Sequence, residues 1–185
     1  VDASSRLCVA SAVAGYEGAF GADAVPCCYE DLQSCDLPVL TGSNAAWTHP
    51  VLYQRIEAAK RARPGMRVVV IDPRRTASCD VADLHLAIRP GSDALLFTAL
   101  LAYLQASGSI AYEYVASHTE GLEAALAAAG AWDLARASEA LGIAPDALQT
   151  FCDWFAATER TVTFYSPGIN QSATGTDKCN AIINC

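Results

Sequence analysis

The sequence predicts an α/β fold in which an open, mostly parallel sheet is flanked by helices and carries a helical insertion. Three observations lead there. Short apolar or β-branched runs recur near Leu37–Leu40, Arg67–Ile71, Leu84–Ile88 and Thr161–Tyr165, each running into a loop of Gly, Pro, Ser, Asn or Asp. Helix-like segments separate the first three runs, the alternation expected of parallel strands joined by right-handed crossovers. Residues 110–159, rich in Ala and Glu with turns at Gly130 and Gly142–Pro145, carry no strand pattern and read as a helical insertion or cover.

Taken in order, residues 9–20 (VASAVAGYEGAF) form a small-residue helix, followed by a Gly/Ala/Pro/Cys loop to Pro26. A short acidic helix in YEDLQSCDLP leads into the first strand, which ends on Gly42. His49-Pro50 opens a helix through about Ala62, with proline in the first turn, where its missing N–H leaves no hydrogen bond unmade. After a turn at Pro64-Gly65, the continuous run Arg67–Ile71 has the character of a strand buried on both faces of a parallel sheet, with Asp72 at its carboxyl end. The segment CDVADLHLAIRPGSD supplies a third strand and a loop in which Ser92 or Asp93 can cap a helix over Ala94–Gln105. TVTFYSPGINQ gives the last strand and its loop. The pattern is that of an open, Rossmann-like sheet.

The chain has 185 residues, one domain's worth, and 52% of them are hydrophobic, enough for a sizeable core. A net charge of −8 argues against nucleic acid or an anionic membrane as partner. The apolar run Ala94–Ala106 is shorter than the roughly 20 residues that cross a bilayer. No charged leader with an apolar block and cleavage site opens the sequence, so the expected location is cytoplasmic. The start without methionine and the uncapped helical pattern NAIINC at the end lead to the expectation that the chain is cut from something larger.

The eight cysteines include no C-x-x-C pair, and His49, His85 and His118 stand alone, which argues against a zinc knuckle or complete cluster site. Most cysteines are expected to be small buried hydrophobes, although Cys27-Cys28 could join a disulfide framework. The three histidines default to structural positions. Cys8, directly ahead of the first helix, is by itself compatible with packing or with chemistry.

In an open parallel sheet, ligands bind beyond the carboxyl ends of the strands. The loops there are Gly42-Ser43-Asn44, Asp72-Pro73-Arg74-Arg75, Gly91-Ser92-Asp93 and Gly168-Ile169-Asn170-Gln171. Glycine admits a phosphate to backbone N–H groups, Ser and Asn add short donors and acceptors, and a carboxylate at a strand end can hold a ribose diol. Any one loop is ordinary turn chemistry. Four in register resemble a dinucleotide pocket, although no G-x-G-x-x-G or Walker signature marks a nicotinamide or ATP site.

The segments SSRLCVASAV, YEDLQSCDLPVLTGSNAAWTHPVLYQRI, VVVIDPRRTASCDVADLHLAIRPGSDALLF, YVASHTEGLEA and YSPGINQSATGTDKCNAIIN, in that order from Ser5 to Cys185, carry a specific resemblance. Together they resemble the central part of molybdopterin-dependent nitrate reductases of the assimilatory bacterial type, within the wider family of formate dehydrogenases and dimethyl sulfoxide reductases. The resemblance implies that residues 1–185 are a molybdopterin guanine dinucleotide-binding α/β region, with an upstream iron–sulfur domain and a downstream cofactor-covering domain lying outside the chain. It implies that Cys8 is a protein ligand of a molybdenum ion otherwise held by the dithiolenes of two pterin guanine dinucleotides; a soft thiolate suits that metal.

By the same resemblance, Thr41, Gly42, Ser43, Asn44, Ala45, Ala46, Trp47 and Thr48 match one cofactor-contacting loop. Ile71, Asp72, Pro73, Arg74 and Arg75 match a second, and Gly91, Ser92 and Asp93 a third. Pro167 and Gln171 match two contact positions near the metal. Asp72 is the candidate for a guanosine ribose or base contact and Ser43 and Asn44 for the diphosphate, while Arg74 and Arg75 could pair with phosphate or form structural ion pairs. The sequence departs from the pattern at Ser4, where relatives usually carry an asparagine cofactor contact, and at Pro167, often methionine in periplasmic relatives. The implied reaction is oxygen-atom transfer from nitrate to give nitrite, with electrons delivered from a donor protein or subunit through an iron–sulfur cluster, and the isolated chain is expected to be inactive. Two alternatives stand beside it: a formate dehydrogenase-type molybdenum oxidoreductase, against which Val9 counts because such enzymes place histidine after the metal-ligating residue, and a non-catalytic cofactor-binding module.

Overall fold

A computed structural model describes residues 8–185. The expectation for Ser4 lies outside the described residues. Four parallel strands, β1 (Leu37–Thr41), β2 (Val69–Ile71), β3 (Leu84–Leu86) and β4 (Thr161–Tyr165), form one sheet in the order β3-β2-β1-β4. Before β1 lie α1 (Ala10–Phe20) and α2 (Asp31–Ser34); α3 (Ala45–Thr48) and α4 (Pro50–Ala62) join β1 to β2, and a 3-10 turn at Ala77–Val81 joins β2 to β3. Between β3 and β4 run α5 (Asp93–Ala106), α6 (Tyr112–His118), α7 (Leu122–Ala129), α8 (Leu134–Leu141) and α9 (Pro145–Ala157); α10 (Pro167–Asn170) and α11 (Gly175–Ile183) follow β4.

Side chains alternate across a strand, and here both sets are apolar. Leu37, Val39, Val69, Ile71 and Leu86 face a core built with Phe97 and Leu100 of α5, Leu141 of α8, and Leu148 and Phe151 of α9. The alternate residues Leu40, Val68 and Val70 pack in a second core with Tyr53 and Ile56 of α4 and Leu32 of α2. The result is a three-layer α/β/α arrangement, each fully buried Leu, Ile or Phe contributing about 1.5–3 kcal/mol. Pro50 occupies the first turn of α4, as the sequence predicts, and Lys60 and Arg61 in its last turn oppose the helix dipole.

Several boundaries differ from the sequence expectation for physical reasons. β2 begins at Val69 rather than Arg67 because Arg67 N donates to Asp36 O (3.0 Å) and Val68 N to the Asp83 carboxylate (2.7 Å) instead of continuing the ladder. β3 stops at Leu86, because Arg89 N turns to Leu141 O (2.8 Å) and draws the chain towards α8. Neither Ser92 nor Asp93 caps α5 with its side chain: Ser92 Oγ donates to Arg89 O (2.6 Å), and the Asp93 carboxylate is engaged elsewhere.

Cys35, Cys79, Cys152 and Cys179 are the buried hydrophobes expected, with burial pushing the Cys152 thiol up to about 12 and Cys35 to about 11. Cys27 and Cys28 are instead exposed and free, on the loop before α2, so they are neither core residues nor disulfide partners. His49 meets Phe164 edge-on at 5.3 Å and pairs with Thr48 Oγ1 at 2.9 Å; His85 Nε2 lies 2.9 Å from Asp72 O; His118 stacks on Tyr114. All three hold structure in place.

Candidate functional site

The chain leaves β1 for one side of the sheet and β4 for the other, so the strand order reverses in sense between these neighbours. That crevice at the carboxyl ends is where an open α/β sheet accepts ligands. Gly42, ending β1 at φ +57°, touches Gly168 of α10: Gly168 N donates to Gly42 O at 3.0 Å. A Cβ on Gly168 would fall 2.6 Å from Gly42 O and 2.7 Å from its Cα, and one on Gly42 would fall 3.0 Å from the Gly168 backbone. Both glycines are therefore demanded by the close approach, and Gly42 also by its left-handed backbone.

Beside this contact lies a cavity of about 340 Å³, within the range of small-molecule sites. Four loops line it. The first gives Gly42, Asn44 and Thr48; the second Asp72, Pro73 and Arg74; the third Arg89, Pro90, Gly91 and Asp93; the fourth Ser166, Pro167 and Gly168. Ile88 and, from α11, Lys178 complete the lining. The structure thus brings together residues from all four loops singled out in the sequence.

Local bonds fix the lining side chains. Asp72, buried at the end of β2, accepts from Arg74 N at 2.8 Å and lies 3.7 Å from Arg74 Nε, so its carboxylate is held by the turn that follows it. Asn44 Oδ1 accepts from Ser78 Oγ (3.1 Å), which in turn accepts from Ala46 N (3.0 Å), tying the first loop to the 3-10 turn. Gly91, at φ +87°, lets the third loop turn into α5, whose first residue, Asp93, lies 2.8 Å from Lys178 Nζ. Thr41 is fully buried, and its Oγ1 has no hydrogen-bond partner among the described residues.

Cys8 lies at the other end of the same group of elements. Its thiol is exposed, and Gln171 Nε2 approaches its Sγ at 3.4 Å and its carbonyl at 3.5 Å, while Asn170 Nδ2 donates to that carbonyl at 2.6 Å. Small residues allow α1, which Cys8 precedes, to sit directly on α11. A Cβ on Gly175 would lie 2.8 Å from Ser11 Cβ, one on Gly15 3.0 Å from Cys179 Cβ, and Thr176 Oγ1 donates to Ser11 O. Cys8 is thereby anchored to α10, the helix that carries Pro167 and Gly168 on the cavity wall.

Other residues singled out in the sequence do not line the cavity. Ala45 and Ile71 are core residues, and the exposed Trp47 and Arg75 point elsewhere. Ser43 is buried, its hydroxyl donating to Ser166 Oγ at 2.9 Å, and Ala46 and Ser92 likewise support the loops from behind. Sequence reasoning missed Ser166, Arg89 and Lys178. Lys178 did leave a signal: with Gly175, Cys179 and Ile182 it falls at i, i+3, i+4 and i+7, a charge in the buried stripe of a helix.

Among the described residues no group of three or more His, Cys, Asp or Glu could hold a metal ion, and no helix is long and apolar enough to cross a membrane. Comparison with known proteins gives the site its context. The chain is 54% identical over 184 residues to a nitrate reductase of Klebsiella oxytoca and 46% identical over 187 residues to one of Shewanella frigidimarina, in both cases across its whole length. It spans only about a fifth of those relatives (21% and 20%). In three dimensions it superposes on the acetylene hydratase of Pelobacter acetylenicus with a TM-score of 0.79 at 18% identity, covering 97% of this chain and 24% of the hydratase, a likeness of fold. A family profile described as molybdopterin oxidoreductase matches residues 1–185. The chain belongs to the molybdopterin oxidoreductase family.

Proposed function

We propose that this chain forms the dinucleotide-binding region of a nitrate reductase catalytic subunit, that its cofactor is the bis(guanine dinucleotide) form of molybdopterin, and that Cys8 is the protein's ligand to molybdenum. The observation that carries this reading is the joining, through α10, of an exposed Cys8 thiol to a glycine-lined cavity at the sheet's switch point. The residues fit the group. A lone thiolate suits a soft metal whose other positions come from dithiolenes, so a cluster of protein ligands is not needed. The Gly42–Gly168 contact keeps both loops low enough for a bulky anionic ligand to lie across them.

When bound, the cofactor supplies two-electron oxygen-atom transfer, which with two protons takes nitrate to nitrite and water. The chain's own part is positional and electrostatic. The Gln171 amide donates towards Cys8 Sγ, which fixes the direction of the sulfur. Asn170 holds the Cys8 carbonyl, so the backbone carrying the ligand cannot swing. Arg74 presents its guanidinium to a diphosphate, and Asp72 offers a buried carboxylate to ribose hydroxyls or a base edge.

The longer protein is proposed to receive electrons from a donor protein or subunit through an iron–sulfur cluster outside this chain, and to work in the cytoplasm. The test is nitrite production from nitrate by the full-length protein with a reduced dye as donor, beside Cys8→Ser, with molybdenum measured in both. Wild-type turnover and a fall of at least about 100-fold in the variant are expected. A molybdenum-loaded wild type that makes no nitrite would refute the substrate, and an active Cys8→Ser would refute the ligand.

A further inference from the structure

Lys178 is one of the few charged side chains buried in this structure, only 4% exposed. Its Nζ lies 2.8 Å from Asp93 Oδ2 and donates to Gly168 O at 3.4 Å. Those two partners belong to different walls of the cavity, the Gly91–Asp93 loop and the Ser166–Gly168 loop. Lys178 therefore spans the cavity's inner side, and it does so from α11, the helix against which α1 is packed.

A buried ion pair is weak evidence for stability, because two hydrophobic residues of similar volume would serve the fold as well or better. Its presence at a cavity wall needs another reason. Among the described residues Asp93 has no hydrogen-bond donor beyond this ion pair, and the cavity is lined by the cations Arg74, Arg89 and Lys178 and the carboxylates Asp72 and Asp93. The Arg89 guanidinium turns away to Ala140 O (3.1 Å), so with Lys178 the charges facing the cavity balance, Arg74 and Lys178 against Asp72 and Asp93; without it they are net negative and the Asp93 carboxylate faces any incoming phosphate unscreened.

We infer that Lys178 is a positioning residue for the pterin cofactor: it fixes the Asp93 carboxylate in place and screens it, so that Asp93 accepts from an N–H or O–H edge of the ligand while the ligand's phosphates meet no uncompensated carboxylate. The inference rests on the reading of this cavity as the cofactor's dinucleotide end. Lys178 acts through Asp93 and Gly168 and need not touch the reacting atoms.

The experiment compares Asp93→Asn, Lys178→Met and the double variant in the full-length protein. Molybdenum and released guanine nucleotide are measured per protein, and the Tm of protein made without molybdate is measured separately. Lys178→Met is expected to retain about a tenth or less of the wild-type cofactor. The double variant buries no lone charge and is expected to recover most of the cofactor-free Tm while still failing to retain cofactor. Recovery of both Tm and cofactor in the double variant would make the pair mere scaffolding and overturn the inference. Retention by Lys178→Met with loss in Asp93→Asn would overturn it while leaving the cavity's assignment standing. Retention in both single variants would remove the assignment itself. Should Lys178→Met fail to fold, the double variant decides.

Discussion

Gly168→Ala puts one methyl group where two loops already touch. Its Cβ would lie 2.6 Å from Gly42 O and 2.7 Å from Gly42 Cα. Carbon contacts are comfortable near ~3.5 Å, so β1's end and α10 must separate by roughly 0.8 Å. Both sides are backbone, so no change of rotamer relieves the clash. Separation weakens the 3.0 Å bond from Gly168 N to Gly42 O, a net loss of about 1 kcal/mol. Overpacking adds about 1–3 kcal/mol, and alanine's better helix propensity returns at most about 1 kcal/mol. The net cost is about 2 kcal/mol, or roughly a 30-fold rise in local opening. Hydrogen exchange of the full-length protein reads this directly. Peptides covering residues 37–48 and 161–171 should exchange about 30-fold faster, while those of α5 stay unchanged. Gly65→Ala, where a Cβ meets nothing within 4 Å, is the control and should be silent. Unchanged exchange at both loops in Gly168→Ala, with normal molybdenum content, would refute the claim that the close approach shapes the cavity.

Three further perturbations follow from the same geometry. Thr41→Val removes a buried hydroxyl that lacks a partner among the described residues, so the cofactor-free protein should gain about 1 kcal/mol in denaturant unfolding, with molybdenum content unchanged because Thr41 does not line the cavity. Gly175→Ala, whose Cβ would fall 2.5 Å from Asn170 O and 2.8 Å from Ser11 Cβ, should push α1 off α11, speed exchange in residues 8–20 and lower molybdenum content without changing exchange in β2 and β3. The buried thiols predict the alkaline limb of stability. Cys152 is raised from 9.0 to about 12 and Cys35 to about 11, so the folded state keeps protons that the unfolded state releases. Their contribution is intact below pH 9 and is lost as pH rises through the folded values, by about 1.4 kcal/mol per pH unit per thiol; denaturant titrations between pH 9 and 11 should show a shallower fall in Cys152→Ala.

What could be read in the sequence was whatever chain-local chemistry determines. Leu37–Thr41 announces a buried strand because both of its faces are apolar, and Pro50 marks the first turn of α4 because only a helix start tolerates it. Gly42 was legible as a turn. That Gly168 presses against it was not, because the pairing of β1 with β4 is made across the whole helical cover. The same holds for Gln171 and Cys8, separated by 163 residues and brought to 3.4 Å. The family resemblance implies a common place near a metal for both, whereas composition and periodicity give no sign that they meet. Lys178 was missed because a lone lysine in a short helix reads as a solvated face until the stripe of Gly175, Cys179 and Ile182 around it is seen to be the packed side. Cys27 and Cys28 were misread for the opposite reason: their small apolar character suits a core, but the loop carrying them has no layer above it among the described residues.

The two ends of the site are held by different physics, and this explains the placement of small residues. At the sheet end, selection by charge and hydrogen bonding requires loops that approach one another, and glycine at Gly42 and Gly168 provides that approach. At the Cys8 end, the proposed metal ligand must be held in direction more than in depth. A single thiol on an unpacked helix start would sweep through several rotamers, and each immobilised rotor costs free energy on binding. The chain meets this with Gly15, Gly175 and Ser11, which let α1 and α11 pack at backbone distance, and with Asn170 and Gln171, which fasten the Cys8 carbonyl and thiol from α10 and its C-terminal flank. Because α10 also bears Pro167 and Gly168, a shift of the Cys8 helix and a shift of the cavity wall are one motion rather than two. The distance from the Cys8 thiol to the cavity is therefore set by the fold, the preorganisation that the proposed metal, held by one protein atom, would require.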